Sequence, residues 1–297
     1  MSNNNYLSIY SKSFNWAGFF LPKKIYLKCS SLYDFCRTVD NIVDEENNLD
    51  IKKKNLLNFR NNFNNKNYNN PIIKNMWNLI NDFGISIKII DDLFNGVESD
   101  LKERVQLNSK KDLLIYSYGV AGTVGLMMAK ILNVKNKNAL KSAIDLGIAM
   151  QLTNISRDVV EDTKNNRLYI SSNFDSIKET LKLADLFYES SFTSIKEIPF
   201  NFRFSILVAR RIYRKIGHNI LKKKNIKNYN SSGKIYVTNI SKIIQTILSI
   251  SDLIRLSLIK PENYFRAEEH MIINEEINLN ERVWLYNYRW RLRWIIF

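Results

Sequence analysis

The chain has 297 residues with 45% hydrophobic content, enough to build a substantial core in one large or two small domains. A formal charge of +15 raises the local concentration of anions, whether nucleic acid, lipid headgroups or a phosphorylated small molecule, without choosing among them. Four prolines, nine glycines, two cysteines and two histidines exclude a turn-rich sheet, a disulfide scaffold and a His-rich metal site, and point to an all-α fold.

The opening MSNNNYLSIYSKSF lacks the basic segment and apolar run of a secretory signal, so the expected chain stays inside the cell. Cys29 and Cys36, one helical heptad apart, then read as reduced thiols. Apolar residues recur at helical spacing, with breaks at Pro22, 61–70, Gly84, Asn108, Asn133 to Asn138, Asn165 to Asn166, Pro199, Asn225 to Gly233 and Pro261. Roughly eight to ten helices follow, in a single domain spanning the whole chain, 1–297.

The helix that holds YDFCRTVDNIVDE, Tyr33 to Glu45, sets Asp40 and Asp44 one above the other. Like charges at that spacing destabilise a helix by about 0.2–0.5 kcal/mol, so something of opposite charge is expected between them. In QLTNISRDVVEDTKNNRLYIS the same spacing returns at Asp158 and Asp162, and Gln151 and Asn154 fall on the same helical stripe. Both stripes are flanked by apolar residues and should be buried, where a carboxylate needs a counter-charge or a proton. Internal ion pairs with Arg37, Arg157 and Arg167 are one solution. Two matching pairs, each accompanied by an arginine, favour another, a magnesium site facing a diphosphate, because magnesium takes one or two carboxylates plus substrate phosphates and the guanidinium fork matches phosphate oxygens.

Towards the C-terminus, Ile235 to Ile259 comes nearest to a membrane span but is interrupted by Lys242, Asp252 and Arg255, so no integral membrane segment is expected. The final VWLYNYRWRLRWIIF mixes aromatics with Arg289, Arg291 and Arg293, and reads either as a membrane-surface segment or as a last helix docked on the core.

SKSF at Ser11 to Phe14, LYDFCRTVDNIVDE from Leu32, YSYGVAGTVG from Tyr116 and the second Asp motif from Gln151 resemble, in this order and at similar separations, successive signatures of the squalene/phytoene synthase family, its bacterial phytoene synthases above all. The resemblance covers about Ser11 to Lys242 and implies the all-α isoprenoid synthase fold around a central cavity. It implies a magnesium-dependent prenyltransferase, with manganese as a substitute, that joins two allylic diphosphates head to head through a cyclopropyl intermediate. Asp40, Asp44, Asn154, Asp158 and Asp162 match its metal ligands. Ser11, Ser13, Arg37, Gln151, Arg157 and Arg167 match positions at the substrate diphosphates, and Lys12 is either a further phosphate contact or an exposed lysine. Tyr33 and Tyr116 match catalytic cavity tyrosines, and ARRIYRKIG aligns Tyr213 with another. NYNSSGKIYV puts Lys234 where an arginine is usual, which keeps the charge and loses the fork. Asn41 stands where many relatives carry a second aspartate, a quarter turn off the Asp40/Asp44 stripe.

The glycines of YGVAGTVG, Gly119, Gly122 and Gly125, serve either close helix packing or room for a prenyl chain. Small residues at Ser30 and Gly18 favour a deep pocket, hence geranylgeranyl over farnesyl diphosphate and phytoene over squalene-type products, with no nicotinamide cofactor. The alternatives are a squalene, hydroxysqualene-pathway or dehydrosqualene-type synthase, a noncatalytic assembly factor and a basic nucleic-acid-binding protein; the last lacks any recognition signature. An apolar product must leave into a bilayer, so the expected location is cytoplasmic, held peripherally at the inner membrane face by positive charge. Oligomeric state is not readable.

Overall fold

Asparagine, abundant in this chain, starts many of its helices. In the computed structural model, which describes residues 12–44, 48–259 and 268–284, the side chains of Asn48, Asn70, Asn136, Asn173 and Asn225 each accept from backbone N–H groups of the first helical turn. The helices run in chain order as α1 (Lys12–Gly18), α2 (Lys23–Asp44), α3 (Leu49–Asn64), α4 (Pro71–Phe83), α5 (Ile87–Glu98), α6 (Lys110–Ile131), α7 (Lys137–Lys164), α8 (Phe174–Phe192), α9 (Phe200–Leu221), α10 (Ile226–Asn230), α11 (Asn239–Leu258), α12 (Glu269–Glu276) and α13 (Leu279–Arg282). Nine of these described helices have twelve residues or more. The strands among the described residues are a two-residue parallel bridge, β1 (Val105–Gln106) with β2 (Arg167–Leu168), so the fold is all-α.

Buried apolar side chains form one continuous cluster from Ala17 to Val283. Helix α7 runs through it, packed most heavily on α8 and α6. Cys29 and Cys36 are free and buried, and burial pushes the Cys29 thiol up to about 12. His270 of α12 meets Asp145 of α7 at 3.2 Å inside the core.

Helix α6 changes winding partway. Tyr118–Gly122 forms a π-helical turn between two α-helical halves, a local defect that proteins often place at functional sites. The glycines around it are explained mainly by close packing. A Cβ on Gly119 would come within 2.9 Å of the Gly96 backbone of α5, and one on Gly125 within 2.2 Å of the Ala143 carbonyl of α7. Only a missing side chain lets these backbones approach so closely. Gly125 also borders the central cavity, whereas Gly119 and Gly122 do not.

Among the described helices, the one long and apolar enough to cross a membrane is α6 and not the Ile235 to Ile259 stretch singled out in the sequence. It is mostly buried, as expected for a helix that is apolar all round and sits in a protein core.

Candidate active site

Helices α2 and α7 face one another across a cavity of about 1530 Å³. Pockets for one small molecule usually hold about 300–1,000 Å³, so this one has room for two long chains. Every residue singled out in the sequence as a site residue lines this cavity, apart from Ser11, which lies outside the described residues: Ser13, Tyr33, Arg37, Asp40, Asp44, Tyr116, Gln151, Asn154, Arg157, Asp158, Asp162, Arg167, Tyr213 and Lys234. Lys12 lines it too, and Asn41 does not. The polar groups gather at one end of α2 and α7. The remainder of the wall includes Val124, Met128, Leu132, Leu146, Met150 and Ile195, with the hydroxyls of Ser142, Ser191, Ser194 and Ser205 among them.

The stripe of α2 that reaches the cavity runs Tyr26, Cys29, Tyr33, Cys36, Arg37, Asp40, Val43, Asp44. It is continuous at helical spacing and passes through Cys29. Ser30, one residue further round, is buried but is not part of the wall, so the depth argument drawn from Ser30 does not hold. Gly18 does line the cavity, and a Cβ there would meet the Tyr26 ring at 2.8 Å.

Arg167 connects the two acidic helices. Helix α7 ends at Lys164, Asn166 takes a left-handed turn with φ 58°, which asparagine tolerates, and β2 then pairs Arg167 with Val105. That turn aims the guanidinium back across the mouth, where its Nη1 donates to Asp44 Oδ1 at 2.8 Å. Arg157 forks onto its own neighbour, Nε to Asp158 Oδ1 at 2.9 Å and Nη2 to Asp158 Oδ2 at 2.6 Å. Lys234 lies 3.4 Å from Asp158 and 2.6 Å from Glu161. Two of the four aspartates are thus ion-paired by arginines, as the simpler sequence reading allowed. Asp40 and Asp162 have no ion pair among the described residues.

Those two are the strained ones. Burial, then the charge of Asp44, raises the Asp40 carboxyl to about 7, against the opposing pull of Arg37. Burial, then Asp158, raises Asp162 to about 7, with Arg167 opposing. Burial disfavours the guanidinium charge at Arg157, but its hydrogen bonds to Asp158 and the charge there outweigh it and hold the group protonated.

Two members of the site were not found in the sequence. Asp100 sits in the turn after α5 and accepts from the hydroxyls of Tyr116 at 2.8 Å and Tyr169 at 2.9 Å, while the Tyr116 hydroxyl also reaches that of Tyr169 at 2.9 Å. Burial raises the Asp100 carboxyl, with Arg167 opposing. Tyr169 follows Arg167 by two residues, so strand alternation turns both the same way, a signal present in NNRLY. Nothing local marks Asp100, whose partners lie 16 and 69 residues further along the chain. Tyr213 stacks on Phe14 at 4.7 Å between ring centroids.

The donor set fits a hard divalent cation. Oxygen donors face one mouth, two carboxyls are crowded enough to stay partly protonated without a counter-charge, and Asn154 Oδ1 is buried with no hydrogen-bond partner among the described residues. Among the described residues no three His, Cys, Asp or Glu side chains close on one point. A cation here would complete its shell from phosphate and water, the usual arrangement for magnesium.

Residues 7–174 match the family model described as squalene/phytoene synthase. A 15-cis-phytoene synthase from Paracoccus sp. is 36% identical over 149 residues, 44% of this chain and about half (49%) of that protein. A phytoene synthase from Cereibacter sphaeroides is 30% identical over 243 residues, 71% of this chain and 68% of the relative. Among solved structures, a dehydrosqualene synthase in complex with ligand superposes with a TM-score of 0.68 at 26% identity, covering 84% of this chain and 94% of that one.

Proposed function

The chain belongs to the squalene/phytoene synthase family, and from that premise we propose that it joins two geranylgeranyl diphosphates head to head to give phytoene, through prephytoene diphosphate, with release of diphosphate. The observation that carries the reading is the convergence of the two aspartate pairs at the mouth of one large cavity whose deeper wall carries Val124, Met128, Leu132, Leu146 and Met150. Asp40, Asp44, Asn154, Asp158 and Asp162 would hold magnesium, or manganese in its place, which when bound neutralises the departing diphosphate.

Each step asks something of the chain's own residues. Ionisation leaves a polyanion, and Arg37, Arg157, Arg167 and Lys234 stand at the mouth to receive its charge. Arg157 and Arg167 must give up part of their hold on Asp158 and Asp44 to do so. The allylic cation that remains must be kept from water, and the apolar wall does this. Ring faces of Tyr33, Tyr116 and Tyr213 stabilise passing positive charge. Tyr116, held by Asp100, is placed to take part in the final proton loss.

The solved dehydrosqualene synthase favours a second reading, condensation of two farnesyl diphosphates to a C30 product. Retention of both aspartate pairs argues against a noncatalytic assembly role. The two enzymatic readings separate by product. Purified protein is incubated with magnesium and either substrate, with and without a nicotinamide reductant, and the hydrocarbon is identified by mass spectrometry. The expected result is phytoene from geranylgeranyl diphosphate, independent of the reductant. A C30 product formed faster than phytoene would replace this reading with the second. We also place the protein in the cytoplasm, at the inner membrane face, because an apolar hydrocarbon must pass from the cavity into a bilayer.

A further inference from the structure

Helix α11 is inside out. Its side chains turned into the protein are Lys242, Gln245, Ser249, Asp252 and Leu256. Those turned outward include Ile240, Ile243, Ile244, Ile247, Ile250 and Ile254, each at least 49% exposed. At 100° per residue these six isoleucines occupy an arc of about 120°. A surface helix of a water-soluble protein has the opposite arrangement.

The orientation is locked from within. Arg211 of α9 forks onto Asp252, with distances of 2.5 and 2.7 Å, and Trp16 of α1 donates to Thr246 at 3.0 Å. Turning the isoleucines inward would break these bonds and leave a buried charge unpaired, so the row of apolar side chains is a fixed surface of the fold. A contiguous apolar strip of this kind marks contact with an apolar phase or a partner.

Its surroundings identify the occupant. The row begins at the cavity mouth, since Thr238, Asn239 and Lys242 line the cavity. Exposed lysines cluster at the same end: Lys12 on the mouth, whose charge acts on Lys242, and Lys222 and Lys224 just after Asn219, whose side chain reaches the Tyr236 carbonyl at 3.5 Å. The exposed Arg255 lies near the other end. A second copy of the chain laid along this helix would set positive ends against one another, whereas anionic lipid headgroups neutralise them. We propose that the outward face of α11 seats the protein on an anionic bilayer, the helix lying in the interfacial plane with the cavity mouth turned to the headgroups. The proposal rests on the reading that an apolar product leaves through that mouth, and it is tested by binding alone.

Full-length protein is floated with vesicles of phosphatidylcholine containing about one third phosphatidylglycerol, and with vesicles of phosphatidylcholine only. Wild-type protein is expected to float with the anionic vesicles. The variant Ile243→Asn/Ile247→Asn/Ile254→Asn is expected to lose at least about tenfold in partitioning while its turnover in detergent micelles stays within about twofold of wild type. Separately, Ile247→Trp should show a blue-shifted difference emission only when anionic vesicles are added. Unchanged flotation of the triple variant overturns the proposal. So does loss of self-association by the triple variant without loss of lipid binding, which would assign the face to a second copy, and so does a blue shift of the Ile247→Trp variant without vesicles. Loss of flotation on deleting 285–297, with the triple variant still bound, would move the membrane contact to the tail. Binding without any turnover of prenyl diphosphates would leave this proposal standing and remove the enzymatic one.

Discussion

Asp40→Asn and Asp162→Asn are each expected to lower turnover by about a hundredfold or more while raising the melting temperature of the metal-free protein at pH 8. Both carboxyls are crowded by burial and by a second aspartate one turn away, and each is raised to about 7. A carboxyl whose folded pKa lies above its ordinary 3.8 stabilises the fold fully below that value and loses this contribution as pH rises to about 7. At pH 8 both are ionised in the folded protein and work against it. Asparagine keeps the shape and removes the charge, so stability rises where function falls. Calorimetry of magnesium-free protein between pH 5 and pH 8, beside steady-state assays with magnesium, reads both effects. Near-normal turnover in either variant would show that its carboxylate holds no metal.

Arg167→Gln should have the next largest effect, with turnover reduced by about a hundredfold. This guanidinium bridges to Asp44 at 2.8 Å and opposes the upward shift of Asp40, Asp100 and Asp162 together. Without it all three carboxyls move further up, and the fall in melting temperature of the metal-free protein continues to higher pH than in wild type. Arg167→Lys restores the charge and not the fork, so it should recover the pH dependence of stability more fully than turnover. A glutamine variant with the wild-type stability profile would mean that Arg167 does not set the electrostatics of the mouth.

How much of this was legible before the structure depends on the range of the signal. The aspartate stripes of α2 and α7 are local patterns, and a helical period places Asp40 with Asp44 and Asp158 with Asp162 without knowledge of the fold. Their convergence was expected from the two matching pairs and from the family resemblance, and every described residue named for the site lines the one cavity. Asp100 was invisible because its partners Tyr116 and Tyr169 come from segments 16 and 69 residues away. Ser30 was misplaced by a single step around α2, since the wall passes through Cys29 and Cys36 instead. The sequence reading took the charges of Ile235 to Ile259 as interruptions of an apolar run, but sequence alone did not reveal which way they face. Arg211 and Trp16, from other helices, draw Asp252 and Thr246 inward and leave the isoleucines outside. The conspicuous asparagine content supplies side-chain caps at six of the described helix N-termini.

The central claim is that carboxylates from α2 and α7 act together on one metal–diphosphate group. Titrating manganese into the protein and following the free-ion electron paramagnetic resonance signal, with and without inorganic diphosphate, tests it most directly. Diphosphate is expected to tighten manganese binding by about tenfold or more in wild type, and both Asp44→Asn and Asp162→Asn, on separate helices, should remove that gain. Manganese binding indifferent to diphosphate, or a gain that survives either substitution, would contradict the account.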